Sequence, residues 1–208
     1  MNTDVYRRSA DGTSRALARD PDNRWLSHMV RRRLSAEEIR DSVLASSGSL
    51  NLAGGGLPVV VPLSAAELDG IVEGAAVSWP VTPNPDAWRR RSVFLLQRRT
   101  YRPPMMEAFD KPDGAVSCPR RDDSTTAPQS LTLLNGAFLV GEAALLAARF
   151  PTVEGMWQQV LGRLPSLGEQ TKARAFLAAQ SRSLGTADRA RAELGRALFN
   201  LNEFLYVD

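Results

Sequence analysis

The sequence predicts a mainly α fold: an irregular helical domain with a long proline-rich middle loop and at most a small β ribbon. Capping-box patterns recur along the chain, and apolar residues near its end repeat at three- and four-residue spacing. Prolines concentrate in residues 100–128, the middle segment, where they prevent long regular structure. We expect one domain over 1–208, with residues 1–19 weakly ordered, 100–128 a pinned irregular loop and 129–208 a helical subdomain.

Two helices are predicted in the first fifty residues. Asp20-Pro21 is expected to open a short helix that runs to about residue 30. Ser35 and Glu38 then have the spacing of a capping box, which predicts the start of a second helix. That helix is expected to end near Gly48, because glycine adopts the left-handed conformation that terminates helices.

The capping-box spacing occurs twice more. Ser64 with Glu67 predicts a helix toward Val72, and Ser166 with Glu169 predicts another in the carboxyl-terminal half. Between them, the apolar run 92–97 is framed by arginines and is the best strand candidate in the chain. A short buried helix would share this pattern, so the run stays ambiguous between the two.

Regular helices are predicted after the middle segment. The segment itself allows about one helical turn, around Met105–Phe109. Helices are then expected over 153–161 and 171–180. The last helix has the cleanest periodicity, with apolar residues at three- and four-residue spacing from Ala187 to Leu205.

Composition excludes several classes of site. The 26 basic and 23 acidic residues nearly balance, and only Lys111 and Lys172 are lysines. One cysteine, Cys118, excludes an intramolecular disulfide, and with one histidine, His28, it excludes a Cys/His zinc site or an internal haem attachment. The polar opening residues show no secretory signal, and the longest uncharged run, 42–66, is expected to be a glycine- and proline-broken loop, not a membrane span.

The middle segment carries the densest polar chemistry. Glu107, Asp110 and Asp113 could divide acid and base roles if their surroundings separated their pKa values. The structural interpretation is favoured: Asp110 and Arg121 would lock the segment through charge-assisted hydrogen bonds.

Other candidate sites have weaker support. Cys118 beside arginines could be a nucleophile, but its only possible imidazole base, His28, is far away in the sequence. The arginine clusters 31–33, 89–91 and 98–99 could contact phosphates, yet solvated or salt-bridged faces are favoured, and no nucleic-acid partner is expected. Asn200, Asn202 and Glu203 are interpreted as structural residues that could anchor the middle segment.

Several segments resemble one family. The stretches DPDNRWLSHMVRRRLSAEEIRDSVLASSG, RRSVFLLQRR, MMEAFDKPDGAVSCPRRDDSTTAPQSLTLLN and NLNEFLYVD follow one another in the family's order. The chain resembles the planctomycete-specific domain of unknown function at the carboxyl-terminal end of large exported proteins, of which it covers the later part. The family's pattern lands on Arg91, Arg99, Asp110, Cys118, Arg121, Gln129, Asn135, Asn202 and Glu203.

The resemblance implies a context but no catalytic residue. Family members commonly follow a planctomycete-type cytochrome c domain, so haem is expected only on an attached or separate cytochrome domain, with no cofactor or metal in this chain. The implied location is the periplasm or cell envelope, and the implied partners are other domains of the same exported protein or a cytochrome c. The leading hypothesis is an accessory, interaction or scaffolding module. The alternative is a carboxylate-dependent enzyme domain acting on an extracellular carbohydrate or other polymer.

Overall fold

The computed structural model describes residues 3–5, 7–69, 79–98, 102–112, 114 and 116–207. Within them the fold is mainly α with a two-stranded antiparallel ribbon, which confirms the predicted class. The ribbon pairs β1 (Arg32–Arg33) with β2 (Tyr206–Val207), close to the carboxyl-terminal end of the chain. The helices are α1 (Ser14–Arg19), α2 (Ala36–Ser47), α3 (Ala65–Asp69), α4 (Pro104–Ala108), α5 (Ala127–Asn135), α6 (Ala137–Arg149), α7 (Val153–Leu161), α8 (Leu167–Leu184), α9 (Ala187–Phe199) and α10 (Asn202–Leu205), with short 3-10 helices at Pro85–Arg89 and Ser92–Phe94.

The core forms where α9 packs against α6 and α8, and where α2 packs on α6. Leu146 on α6 and Leu198 on α9 are buried, and burying a leucine stabilises the fold by about 1.5–3 kcal/mol. Helices α6 and α9 approach closely at Gly195, where a Cβ atom would lie 3.3 Å from the carbonyl oxygen of Ala143. A side chain at this position would therefore separate the two helices.

Helix α2 begins and ends where the sequence predicts. The hydroxyl of Ser35 accepts a hydrogen bond from the amide of Glu38, and the Glu38 carboxylate accepts one from the amide of Ser35. Gly48 ends the helix at φ +73°, a conformation that glycine adopts without steric cost. One face of α2 enters the core through Ile39 and Val43, and the opposite face is left to contact the irregular segments.

The other capping boxes are also present. Ser166 and Glu169 cap α8, and Ser64 and Glu67 exchange the same pair of hydrogen bonds at the start of α3. Val72, the predicted limit of the α3 helix, lies outside the described residues. The predicted range 153–161 matches α7, and α8 contains the predicted range 171–180.

The short helix predicted over residues 20–30 is wrong. This stretch consists of turns, in which the Asp20 carboxylate accepts hydrogen bonds from the amides of Arg24 at 2.7 Å and Trp25 at 3.0 Å. Asn23 and Leu26 have φ values of +50° and +53°, which a right-handed helix does not allow. The nearby helix is α1, which lies before Asp20, in the segment expected to be weakly ordered.

The run 92–97, which the sequence left open between a strand and a short buried helix, does not form a strand. Ser92–Phe94 form a 3-10 helix, and within the described chain Leu95 makes one isolated parallel bridge with Val59. The start of the run is fixed by Asp41 on α2, whose carboxylate accepts hydrogen bonds from the amide and the hydroxyl of Ser92, both at 2.7 Å. A long-range polar contact therefore determines the local conformation here.

The last periodic stretch forms two helices where one was predicted. Helix α9 ends at Phe199, Asn200 caps it, and α10 begins at Asn202. The break turns Phe204 back against Phe199, with the ring centroids 5.2 Å apart. Both rings are buried, so the break lets the apolar end of the chain pack on the core.

The described helices include none that, alone, has the length and apolarity needed to cross a membrane. Helices α5 and α6 meet those limits only when counted as a pair, and they are bent by 53° at the break between them.

Candidate functional site

The middle segment is fastened at Asp110, directly after α4. Asp110 has φ +58°, a left-handed conformation that an aspartate tolerates better than most residues. Its carboxylate accepts hydrogen bonds from Arg33 Nη2 at 2.8 Å and from the amide and hydroxyl of Ser124 at 2.9 and 2.8 Å. These contacts hold a bent backbone that would otherwise be strained.

Arg33 is the cation at the centre of this cluster. Its side chain is 4% exposed, and its Nε atom lies 3.0 Å from an Asp123 oxygen. The guanidinium also donates to the carbonyl of Ser124 and lies over the ring of Phe109, with 5.5 Å to the ring centroid. One buried guanidinium thus connects β1 to both ends of the loop that follows α4.

Gln129 closes the cluster from α5. It is buried, and its amide nitrogen donates to the carbonyl of Ser124 at 3.1 Å. Its amide oxygen accepts from the backbone N–H of Thr126 at 3.3 Å, which completes a capping box at the start of α5. Of the residues on which the family pattern lands, Asp110 and Gln129 therefore meet through Ser124.

The predicted pairing of Asp110 with Arg121 is wrong. Arg121 forms two hydrogen bonds, of 2.7 and 3.3 Å, to the carboxylate of Glu37 on α2, and Asp110 is engaged by Arg33. The sequence predicted that arginine side chains would pair with acids and fasten the loop. Such pairs are present, but they join different residues from those predicted. In each pair the partner from outside the loop, Arg33 on β1 or Glu37 on α2, precedes the loop by many residues in the chain.

Two acids that pair with the arginines of β1 are held ionised: Asp110, bound by Arg33, and Glu38, bound by Arg32. Burial alone would raise the pKa of Asp110, but the hydrogen bonds from Arg33 and Ser124 outweigh it and lower the pKa below 3.8. The Arg32 guanidinium, opposed by burial and assisted by Ser35, lowers the pKa of Glu38 to about 2. Both groups contribute stability above their ordinary pKa values and lose it as the pH falls through their folded-state values.

We therefore expect the protein to lose stability on acidification. The free energy of unfolding from urea titrations should fall between about pH 5 and about pH 2. The Asp110→Asn variant should be less stable at neutral pH but less sensitive to acid, because the carboxyl that titrates is gone. A wild-type stability that is flat across this range would contradict the assignment.

A polar cleft lies along the outer face of α2, with a volume of about 1030 Å³. Arg91 and Arg121, both on the family pattern, line it together with Lys111. Lys111 is 8% exposed. Burial lowers its pKa, the charge of Glu37 raises it and the charge of Arg121 lowers it again, leaving the pKa below 10.5. The sequence interpretation did not single out Lys111, Arg33 or Glu37.

The remaining family-pattern residues lie elsewhere. Glu203 pairs with Arg163, their atoms 2.6 and 2.8 Å apart, so it fastens α10 to the start of α8 and not to the middle segment. Asn202 is exposed at the start of α10, and Asn135 borders an apolar groove at the end of α5. Arg99 lies outside the described residues, as does Asp113.

The candidate nucleophile and base make local contacts. Cys118 is exposed, and its thiol donates to the carbonyl of Arg120 at 3.0 Å. His28 Nδ1 lies 3.2 Å from the hydroxyl of neighbouring Ser27. These contacts give neither residue an activating partner.

The two candidate carboxylates that the structure describes, Glu107 and Asp110, are paired with arginines. Glu107 accepts from Arg102 at 3.0 Å, and Asp110 accepts from Arg33. A general acid needs a raised pKa, whereas that of Asp110 is lowered. Across the described ranges, with their gaps at 70–78, 99–101, 113 and 115, the acids, histidine and cysteine form no group of three that could hold a metal ion.

The arginine clusters also have internal contacts. Arg32 forms a two-pronged pair with Glu38, with distances of 2.8 and 2.9 Å. Arg90 is buried, donates to the carbonyl of Ala53 at 3.0 Å and lies 4.2 Å above the centroid of the Phe94 ring. The Arg32–Glu38 pair fits the salt-bridged faces expected from the sequence, whereas Arg90 is buried against a carbonyl and a ring. The absence of a nucleic-acid partner stays a prediction.

Comparison with known proteins gives one match. A family model described as "PSD1: Protein of unknown function (DUF1553)" matches residues 1–177. This range includes the whole Asp110 cluster and the Lys111 cleft, and it ends within α8. Neither the curated proteins nor the solved structures contain a match to the chain.

Proposed function

The chain belongs to the PSD1 family of proteins of unknown function (DUF1553), and on that basis we propose that it is an accessory interaction or scaffolding module of an exported, cytochrome-associated multidomain protein. Its place would be the periplasm or cell envelope. Its partners would be other domains of the same protein or a cytochrome c, and any haem would belong to that cytochrome. This context comes from the resemblance of its motifs to the planctomycete-type domain.

One observation carries the non-catalytic role: Asp110 and Arg121 of the middle segment are each engaged by a charged residue from β1 or α2. Asp110 accepts from Arg33 and Ser124, and Arg121 is bound to Glu37. Residues engaged in this way stabilise a loop, and they are not free to transfer protons to a substrate. The function of the segment would then be to present a fixed surface.

The carboxylate-dependent enzyme has less support. A glycosidase needs two carboxyl groups that face each other across the scissile bond, one of them with a raised pKa. Glu107 is paired with Arg102, and Asp110 has a lowered pKa. The described carboxylates of the middle segment therefore do not favour this alternative.

The proposal is tested by measuring complex formation. We expect the purified chain to bind the cytochrome c domain of the same exported protein saturably, with a defined stoichiometry in analytical ultracentrifugation. An unrelated cytochrome c of similar charge is the control and should not bind. Stoichiometric uptake of haem or metal by this chain alone, or hydrolysis of a polysaccharide that is lost in Asp110→Asn while the fold is kept, would contradict the proposal.

A further inference from the structure

Among the residues that the structure describes, the cleft along α2 contains one cation, Lys111, that no acid contacts. Each of its three acidic side chains has a partner: Glu37 binds Arg121, Glu38 binds Arg32, and Asp41 binds Ser92. Arg91 Nε lies 3.7 Å from Asp41 Oδ2. The contacts of these acids thus account for the two arginines of the cleft but not for Lys111.

Lys111 is a nearly buried residue that lines the cleft, and its ammonium has no hydrogen-bond or ion-pair partner among the residues that the structure describes, although the charge of Glu37 acts on it from a distance. The backbone on either side of it is fixed, because its N–H donates to the carbonyl of Met106 at 3.0 Å and its own carbonyl accepts from Arg102 at 2.8 Å. Removing a charged ammonium from water without a partner is unfavourable. A residue that costs stability in this way is a candidate for a functional role.

We propose that this cleft binds a carboxylate-bearing small molecule, with the Lys111 ammonium as the anchor of the carboxylate. The bound carboxylate would supply the missing counter-charge. The charges of Glu37 and Arg121 act on Lys111 with opposite signs, that of Glu37 being the stronger. Because Glu37 is itself hydrogen-bonded by Arg121, the Lys111 ammonium is the group that can contact a ligand carboxylate directly. The inference does not rest on the proposed function, since an anion site could belong to a scaffold or to an enzyme.

The charge of the cleft favours a carboxylate over a phosphate. In the described part of the chain the Lys111 ammonium has no contacting acid, whereas Glu37, Glu38 and Asp41 lie in the same cleft and would repel a dianion. The volume of about 1030 Å³ exceeds what a carboxylate alone requires. Ser42, Gln97 and the apolar Leu50 and Val93 line the remainder, so the body of the ligand can carry both hydroxyl groups and hydrocarbon.

Because the chain has only two lysines, the signal of Lys111 can be followed directly. The side-chain Nζ signals of Lys111 and Lys172 are followed by NMR while acetate or glucuronate is added at constant ionic strength. We expect the Lys111 signal to shift saturably, and its pKa to rise toward the ordinary 10.5, because a bound carboxylate favours the charged form. The exposed Lys172 is the internal control and should not respond.

The two probes distinguish the source of the carboxylate. Tighter binding of glucuronate than of acetate would indicate an acidic sugar, and equal binding would indicate that only the carboxylate is recognised. Either result supports the proposal. No saturable response of Lys111 to either acid, or the same response from both lysines, would overturn it.

Variants provide a second readout. Lys111→Gln should weaken carboxylate binding by at least about tenfold, since a hydrogen bond to a charged group is lost, and Lys172→Gln should leave it unchanged. Lys111→Met should raise the melting temperature of the free protein by about 2–4 °C, because it replaces a buried unmatched charge with an apolar chain of similar length. Unchanged binding in folded Lys111→Gln would contradict the role of Lys111 as the anchor.

Discussion

Replacing Arg33 with methionine is expected to lower the free energy of unfolding by about 3–5 kcal/mol. Methionine fills similar space but cannot donate, so Asp110 loses its cation and the Ser124 carbonyl loses a donor. The carboxylate left behind is 20% exposed and keeps its hydrogen bonds from Ser124, but it loses its contacting cation, which is unfavourable for a charge largely removed from water. Urea unfolding followed by circular dichroism measures the change.

Arg32→Met is the matched control. Arg32 precedes Arg33 on the same strand and also pairs with an acid, Glu38, but its side chain is 50% exposed. Exposed ion pairs contribute about 0.2–1 kcal/mol, so we expect a loss in that range. Equal losses for the two variants would contradict the assignment of Arg33 as a buried connector.

A double-mutant cycle isolates the pair itself. Asp110→Asn alone should destabilise the protein, because the buried guanidinium then keeps only the carboxylate of Asp123, which is 56% exposed. Adding this change to Arg33→Met should cost less than the sum of the two single changes, with a coupling energy of about 1–3 kcal/mol. Additive effects would show that the two side chains do not interact.

Replacing Arg40 with methionine is expected to cost about 2–4 kcal/mol. Arg40 lies on α2 and is buried, and its guanidinium donates to the carbonyls of Trp88 and Arg90 and to the hydroxyl of Ser92. Methionine would leave these acceptors without a donor in a nearly dry environment, at about 1–3 kcal/mol each, partly offset because a buried charge is removed. Thermal unfolding and urea titration measure the loss.

Arg91→Met is the control for Arg40. Arg91 belongs to the irregular segment that Arg40 contacts. Its side chain is 58% exposed, and its Nε atom lies 3.7 Å from Asp41 Oδ2. We expect a change of at most about 1 kcal/mol. If Arg91→Met were as destabilising as Arg40→Met, burial would not be what distinguishes these arginines.

Signals between neighbouring residues made part of the fold predictable. Ser35 and Glu38 are three residues apart, and a capping box depends only on that spacing and on the helix that follows. The same holds for Ser166 and Glu169 at the start of α8. The bounds of helix α7 match the predicted range 153–161, and in the structure Thr152 and Gly162 cap its two ends.

Hydrogen bonds from backbone amides to aspartate side chains explain the elements that could not be predicted. The run 92–97 has the composition of a strand, but Asp41 captures the amide of Ser92 from 51 residues away. In residues 20–30 the Asp20 carboxylate binds the amides of Arg24 and Trp25, and this local bonding competes with helix formation. Periodicity alone did not distinguish these outcomes.

The kind of contact at the site, an arginine paired with a carboxylate, was predictable, but which residues form each pair was not. Any of the chain's many arginines could pair with Asp110 on chemical grounds, and Arg33 does so because β1 lies beside α4 in the fold, 77 residues away in sequence. Arg121 and Glu37 are 84 residues apart. Lys111 carried one sequence signal that could have found it, since it is one of only two lysines in an arginine-rich chain.

The most direct test of the fastened middle segment is amide hydrogen exchange at Ser124 in the wild-type protein. Its N–H donates to Asp110 Oδ2 at 2.9 Å inside a cluster held by the buried Arg33. We expect slow exchange, comparable to that of amides in the adjoining helix α5, because the amide opens only when the cluster separates. Exchange at the rate of an unstructured peptide, with α5 still protected, would contradict this account.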